Sequence, residues 1–351
     1  MRRKAITSPY SLIASLLIGV LVSSSAMAAS LGEPVAVPAQ GRYAKAVWSP
    51  AGGGLALGGE RGRGLYYTDM AGTMNTVSQS PLAGSGFNWS PDGRSLAYRA
   101  QDENGGVAMM ISDDKGKAKQ LTPFMDGRFQ PIWTKDGLTY KAGDEMVTVD
   151  AKGKIKSTRS LSQGRGLLTR IMCVTGSLMA ARVTGATLTA LSSLSTSGSP
   201  SDTKLGKQMF VDSESKAWVL DENGNQKKLI DVEGVTGYAA PVASPVEGTY
   251  AVGGFDGNLY IADLNGSQPI NLGDGGSPTW SPDGQYLIYT RSTDDGARLT
   301  ASEIWISSPD GSSKYQLTND GTIKESPSWS PDGKSIAYIV DGVVYTAPIK
   351  L

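Results

Sequence analysis

An all-β propeller of seven four-stranded blades is the fold this sequence predicts, on three observations. A Trp-headed phrase recurs at intervals of about 40 residues, the mark of a repeat architecture. A second phrase, an apolar stretch closing on Gly, recurs independently of it. Each repeat has room for four short strands, with tight turns between the first and second and between the third and fourth. Four-stranded units of this length form blades around a central channel. A six-bladed ring with a distorted fourth unit is the alternative reading.

Residues 1–28 read as an address. Arg2, Arg3 and Lys4 make a basic head, residues 12–22 an apolar run, and Ala26-Met27-Ala28 a small-residue cleavage signal. The run is well short of the ~20 residues a membrane-spanning helix needs. Cleavage is expected between Ala28 and Ala29, which leaves a periplasmic or secreted mature chain with no membrane span. Residues 29–351 then form one propeller domain.

The first phrase reads Trp48-Ser-Pro-Ala-Gly, Trp89-Ser-Pro-Asp-Gly, Trp133-Thr-Lys-Asp-Gly, Trp280-Ser-Pro-Asp-Gly and Trp329-Ser-Pro-Asp-Gly. Each Trp closes a strand a. In the turn, Pro presets φ, Asp accepts local backbone hydrogen bonds, and Gly takes the left-handed conformation that releases strand b as a hairpin. Degenerate copies stand at 171–176 and 243–248. The second phrase, strand c and its turn, stands at 65–72, 109–116, 146–153, 217–224, 259–266 and 304–311, with a seventh at 344–351. Its fifth position is Asp69, Asp113, Asp150, Asp221 or Asp263, expected to accept turn hydrogen bonds. The fourth unit carries an insertion at 184–208, rich in Ser, Thr and Gly, expected to be a mobile surface loop. The seventh unit is one strand short, and the segment Pro34-Val35-Ala36-Val37 is a spare strand ahead of the first blade. That N-terminal strand is expected to complete the last blade and close the ring, since an unfinished ring exposes unpaired edges.

Composition narrows the chemistry. Histidine is absent, which removes Ser-His-Asp and Cys-His catalysis and every imidazole metal site. Cys173 is the only cysteine, so no intramolecular disulfide forms, and its apolar neighbours Ile171 and Met172 mark it as a buried small residue. Without the address, 30 basic residues face 33 acidic ones. Nothing in that balance points to nucleic acid. Asp221-Glu222-Asn223-Gly224-Asn225 imitates a calcium loop but lacks the Gly at position six and the distal Glu, so a hairpin turn accounts for it. No cofactor or metal is expected.

Propeller geometry puts the uniform a-b and c-d turns on one face and the variable b-c and d-a connections on the other, the expected binding face. Arg99, Lys141, Arg182 and Arg291 stand at b-strand ends, with Asp102, Glu103, Asp294 and Asp295 close enough to pair with them. The d-a connections carry Arg42, Tyr43, Arg128, Phe129, Arg165, Tyr238, Lys324 and Glu325 towards the channel mouth. Arg and aromatic residues favour partner binding.

The Trp-Ser-Pro-Asp-Gly phrase followed by an Ile-Ala-Tyr-like strand, complete at Trp89, Trp280 and Trp329, resembles the WD40-like repeat of TolB-type β-propellers of bacteria. TolB has a separate N-terminal domain and six blades, whereas this chain enters its first blade soon after the address. The resemblance implies an exported, non-enzymatic, monomeric scaffold that binds a protein or cell-envelope partner. The competing expectation is a lyase or hydrolase acting on polysaccharide with carboxylate or Arg/Tyr chemistry at the channel mouth, which needs no histidine.

Overall fold

The computed structural model describes residues 29–124, 132–134, 137–142, 145–160, 208–211, 214–220, 226–239, 241–246, 248–264 and 267–351. The phrase at 171–176, Cys173, the insertion up to 207 and the 221–225 turn lie outside these residues. Within them the fold is antiparallel β-structure with one short 3-10 turn, Glu60–Gly62.

Two short strands, β1 (Ser30–Leu31) and β2 (Val35–Ala36), precede seven sheets. The first holds β3 (Tyr43–Trp48), β4 (Gly54–Gly59), β5 (Leu65–Asp69) and β6 (Met74–Ser78). The second holds β7 (Asn88–Trp89), β8 (Leu96–Gln101), β9 (Val107–Ser112) and β10 (Ala118–Gln120). The third holds β11 (Ile132–Thr134), β12 (Gly137–Ala142), β13 (Glu145–Val149) and β14 (Ile155–Ser160). The fourth shows β15 (Gln208–Val211), β16 (Ala217–Leu220) and β17 (Gln226–Lys228). The fifth holds β18 (Val242–Ala243), β19 (Thr249–Gly253), β20 (Asn258–Asp263) and β21 (Ile270–Asp274). The sixth holds β22 (Gly276–Trp280), β23 (Leu287–Asp294), β24 (Leu299–Ser307) and β25 (Lys314–Gln316). The seventh holds β26 (Lys324–Trp329), β27 (Ser335–Val340) and β28 (Val343–Lys350), with β1 and β2 paired on the outer edge of β28. In the first six sheets, strands adjacent in sequence are adjacent in space, as are β26, β27 and β28 of the seventh.

The turns form as their residues dictate. In the second sheet Ser90 Oγ donates to Asp92 Oδ1 at 2.5 Å and accepts from Ser95 N at 2.9 Å, while Gly93 sits at φ 65°. The Ser281 and Ser330 turns repeat these bonds. Asp69, Asp113 and Asp150 each accept two backbone N–H groups of their c-d turn, and Asp263 accepts one from Ser267. The expected final strand is present too. Val35 pairs with Thr346, Ala36 with Tyr345, and Ser30 and Leu31 with Lys350 and Ile349.

The apolar core lies between sheets rather than within one. Val47 and Leu65 of the first sheet pack with Leu96 and Tyr98 of the second, and Ala97 and Met109 with Leu138 and Tyr140 of the third. Ala217 joins the fourth to Tyr250 and Val252 of the fifth, Leu259 and Ile261 meet Leu287 and Tyr289, and Ile304 meets Ile336 and Tyr338. Ala337 and Ile339 of the seventh pack with Leu55 and Leu57 of the first.

The tryptophans add a directional bond at these interfaces. The indole N–H of Trp89 donates to Val47 O at 3.2 Å, that of Trp133 to Asn88 O at 3.3 Å, that of Trp280 to Val242 O at 3.0 Å and that of Trp329 to Thr279 O at 3.2 Å. Each acceptor belongs to strand a of the preceding sheet. The buried indole nitrogen of Trp48 alone among these five finds no acceptor. Trp280→Phe and Trp48→Phe remove similar volume, but only the first strips a carbonyl of its donor. The Trp280 variant is therefore expected to lose about 1–2 kcal/mol more in urea unfolding than the Trp48 variant. Equal losses would show that the indole bond contributes nothing.

Candidate binding face

The strands that begin near the variable face are bulged. Register slips by one residue between Tyr43 and Lys45, between Gly276 and Thr279, and between Glu325 and Ser328. Ser277 and Ser326, at φ 49° and 51°, sit inside two of these bulges. A bulge bends its strand and re-aims the side chains beside it.

At the junction of the seventh and first sheets, Arg42 Nε donates to Glu60 Oε1 at 2.5 Å, with the Arg42 side chain 61% exposed. Glu325 is half-buried nearby, and burial, then the charges of Asp341 and Glu60, raise its carboxyl above the usual range. Tyr43 is buried. Its hydroxyl donates to Gln40 O at 2.6 Å and its ring meets Tyr66 edge-on with centroids 5.9 Å apart.

Between the first and second sheets, Lys45 and Arg99 are 7% and 5% exposed. The Lys45 ammonium donates to Phe87 O at 3.2 Å and lies 4.2 Å from the centroid of the Phe87 ring. Arg99 donates to Ser85 O at 2.9 Å. Burial, followed by the Arg99 charge, brings Lys45 down to about 7.

Lys324, 1% exposed, donates to Glu303 Oε2 at 2.8 Å and to Asp320 Oδ1. Glu303 also accepts from Thr318 Oγ1 at 2.5 Å and from Gly321 N at 2.7 Å. Burial pushes Glu303 up, but those three donors outweigh it and leave the carboxyl below its ordinary value. The Lys324 hydrogen bond holds Asp320 at about 2. This knot fixes the 318–322 connection between the sixth and seventh sheets.

Tyr238 is buried and its hydroxyl accepts from Val232 N at 2.7 Å. Arg291 lies within β23, its guanidinium carbon 4.6 Å from the Trp305 ring centroid. Beyond it β23 and β24 run on as an exposed hairpin, residues 292–300. Its tip is ordered by Asp295 Oδ1, which accepts from Ala297 N at 2.9 Å and Arg298 N at 2.7 Å. Lys141 lies in β12. Arg128, Phe129, Arg165 and Arg182 lie outside the described residues. Of the residues expected at the face, Arg42 and Glu325 share one junction, Arg99 lies inside the next, and Lys324, Tyr238 and Arg291 belong to separate environments.

Sequence reasoning passed over Lys45, Glu303, Asp320, Arg61 and Arg63. A lone Lys inside the otherwise apolar Tyr43-Ala-Lys-Ala-Val was the available signal for the first. The described residues contain no group of three or more Cys, Asp or Glu side chains able to hold a metal ion, and no helix long and apolar enough to cross a membrane.

Lys45→Met tests the buried charge. Between pH 7 and 10.5 the unfolded chain holds a proton on Lys45 that the folded chain has released, so parent stability rises with pH across that window. The variant is expected to be more stable than the parent by about 2 kcal/mol near pH 6. Its advantage in urea midpoint should shrink towards pH 10, and a constant difference would refute the assignment. Lys324→Met should instead cost about 3–5 kcal/mol by stranding Glu303. Depressed carboxylates stabilise above their ordinary range and lose that contribution as pH falls through the folded value, so the parent should weaken between pH 4 and 2 more steeply than the variant.

No family model matches this chain, and no curated protein matches it. Among solved structures it is similar to a chain in the crystal structure of a mitotic checkpoint complex, 14% identical, with a TM-score of 0.57 over 99% of this chain and 98% of that one. At that identity the likeness concerns fold alone. Together with the all-β sheets, it supports a β-propeller-like fold.

Proposed function

We propose that this protein is an exported, non-enzymatic propeller of seven blades, its ring closed by β1 and β2, which holds a protein of the cell envelope on its b-c and d-a face as TolB-type scaffolds do. The single observation that carries the reading is where backbone strain lies. Among the described residues, six other than glycine adopt left-handed φ: Arg61, Leu82, Ser215, Ser277, Ser326 and Asp341. All six sit in b-c or d-a connections or in the bulged start of a strand a. The opposite face uses glycine for the same conformation, at Gly72, Gly93, Gly116, Gly284 and Gly333. A left-handed non-glycine residue costs roughly 1–2 kcal/mol. Strain of this kind gathers where a surface must keep a particular shape.

Other features support the same reading. The contact of the seventh sheet with the first favours a closed ring. Glu303 and Asp320 are committed to Lys324 and are not available as a catalytic pair. The propeller-like neighbour belongs to an assembly, which accords with a scaffold. Periplasmic or secreted location rests on the address in residues 1–28.

Photo-cross-linking in cells expressing the full chain tests it. A photoreactive residue at Arg298, on the hairpin, should yield a protein adduct from a chain that begins at Ala29 by intact mass. The same residue at Arg94, on the a-b turn, should yield none. Retention of residues 1–28 in a cytoplasmic product would overturn export. Absence of adducts from Arg298, or turnover of polysaccharide by the purified protein, would overturn the binding role.

A further inference from the structure

We propose that the corner between the first and second sheets docks an acidic, carboxylate-rich protein segment, with Arg61 and Arg63 at the surface and Lys45 and Arg99 beneath them. The inference rests on the protein-binding reading and names the chemistry of the partner.

The floor consists of Arg99 and of Lys45, which burial and the Arg99 charge bring down to about 7, so that below that pH the two are neighbouring buried cations. The Lys45 ammonium meets a carbonyl and an aromatic ring, and no described carboxylate lies within ion-pair distance of it. A buried cation without a counter-charge is costly, and an arriving carboxylate lowers that cost.

The rim is the b-c connection of the first sheet, Glu60-Arg61-Gly62-Arg63-Gly64. Its one acid, Glu60, is occupied by Arg42 at 2.5 Å, whereas Arg61 and Arg63 are exposed and form no ion pair with another described residue. The loop is fixed directly over the floor. Gly84 N donates to Gly62 O at 3.0 Å, and a Cβ on Gly62 would come within 2.6 Å of Ser85 Cβ. Ser85 is the residue whose carbonyl accepts from Arg99. Rim and floor are therefore one packed unit, and Arg61 is set at φ 55° within it.

Charge and shape narrow the occupant. A chain whose residues 29–351 carry 30 basic against 33 acidic side chains lacks the broad positive field that nucleic acid requires, so this cationic corner is a local contrast. Sugar rings need open aromatic faces to stack on, and the rings here are taken: Tyr43 and Tyr66 pack on each other, and Phe87 lies under Lys45. A short run of carboxylates fits Arg forks, which bind them bidentately.

Fluorescence anisotropy with a labelled poly-glutamate peptide and the mature protein tests the site. Arg61→Asn keeps the left-handed backbone, which Asn tolerates. Combined with Arg63→Gln, it should weaken binding about tenfold, and Lys45→Met should weaken it further, with affinity falling as salt rises. Arg94→Gln, on an a-b turn of the opposite face, should leave it unchanged. Equal binding by parent and Arg61/Arg63 variant, or displacement of the peptide by polygalacturonate at lower concentration than by free poly-glutamate, would overturn the proposal. Loss of peptide binding specificity alongside persistent Arg298 adducts would remove this inference and leave the scaffold reading standing. Specific peptide binding without any adduct would do the reverse.

Discussion

The contact between successive sheets, centred on a tryptophan that reaches back one repeat, is what the rest of this molecule depends on. A four-stranded sheet of two- to nine-residue strands cannot bury both faces alone, and no apolar cluster among the described residues is confined to a single sheet. A buried Trp contributes ~150–250 Å², which at ~25 cal/mol per Å² is several kcal/mol before ordering entropy. Its indole hydrogen bond adds about 1 kcal/mol. Area therefore supplies the larger share of the energy, while the bond sets alignment. Because Trp89 binds a carbonyl beside Trp48 and Trp329 a carbonyl beside Trp280, the sheets that carry such a bond, the second, third, sixth and seventh, are aligned on their predecessors. Stability in such a chain approximates a sum of nearest-neighbour terms.

The seam between the seventh and first sheets obeys a different rule. Trp48 makes no indole bond there. Backbone pairing replaces it: β28 carries β1 and β2 on its outer edge, Val37 N donates to Val344 O at 2.8 Å, and Tyr43 N donates to Gly342 O at 2.8 Å. The apolar contact of Leu55 and Leu57 with Ile339 completes the junction. Pairing that joins residues near 30 to residues near 350 closes a very long loop, and such contacts form late because their entropy cost precedes their reward.

Local chemistry made much of this fold legible. The Trp phrase and the Asp turns carry their geometry within a few residues, and Val35-Ala36 could be matched to a missing strand. Ser30-Leu31 could not, since two residues show no period. The hairpin beyond Arg291 was hidden for another reason. Ser292, Thr293, Asp294 and Asp295 have the composition of a loop, yet Ser292 and Ser302 join hydroxyls at 3.2 Å and Thr293 and Thr300 at 3.3 Å, which sustains a polar ladder. Burial of Lys45, Arg99 and Lys324 was least legible. Each is covered by a connection from elsewhere in the chain, residues 80–87 for the first two and 318–322 for the third, and no local pattern encodes that cover.

These buried cations also explain how one repeat supports two unlike faces. A repeat fixes its a-b and c-d turns through residues it contains, so those turns converge on one solution of Ser, Asp and Gly. The b-c and d-a connections are fixed by partners in the neighbouring sheet, as Glu303 fixes Gly321 and Lys324, and Ser85 fixes Arg99. Those partners differ at every junction. Variation in sequence, left-handed strain and buried charge therefore accumulate on the same face, and the face least constrained by the repeat is the one free to acquire a specific shape and charge for a partner.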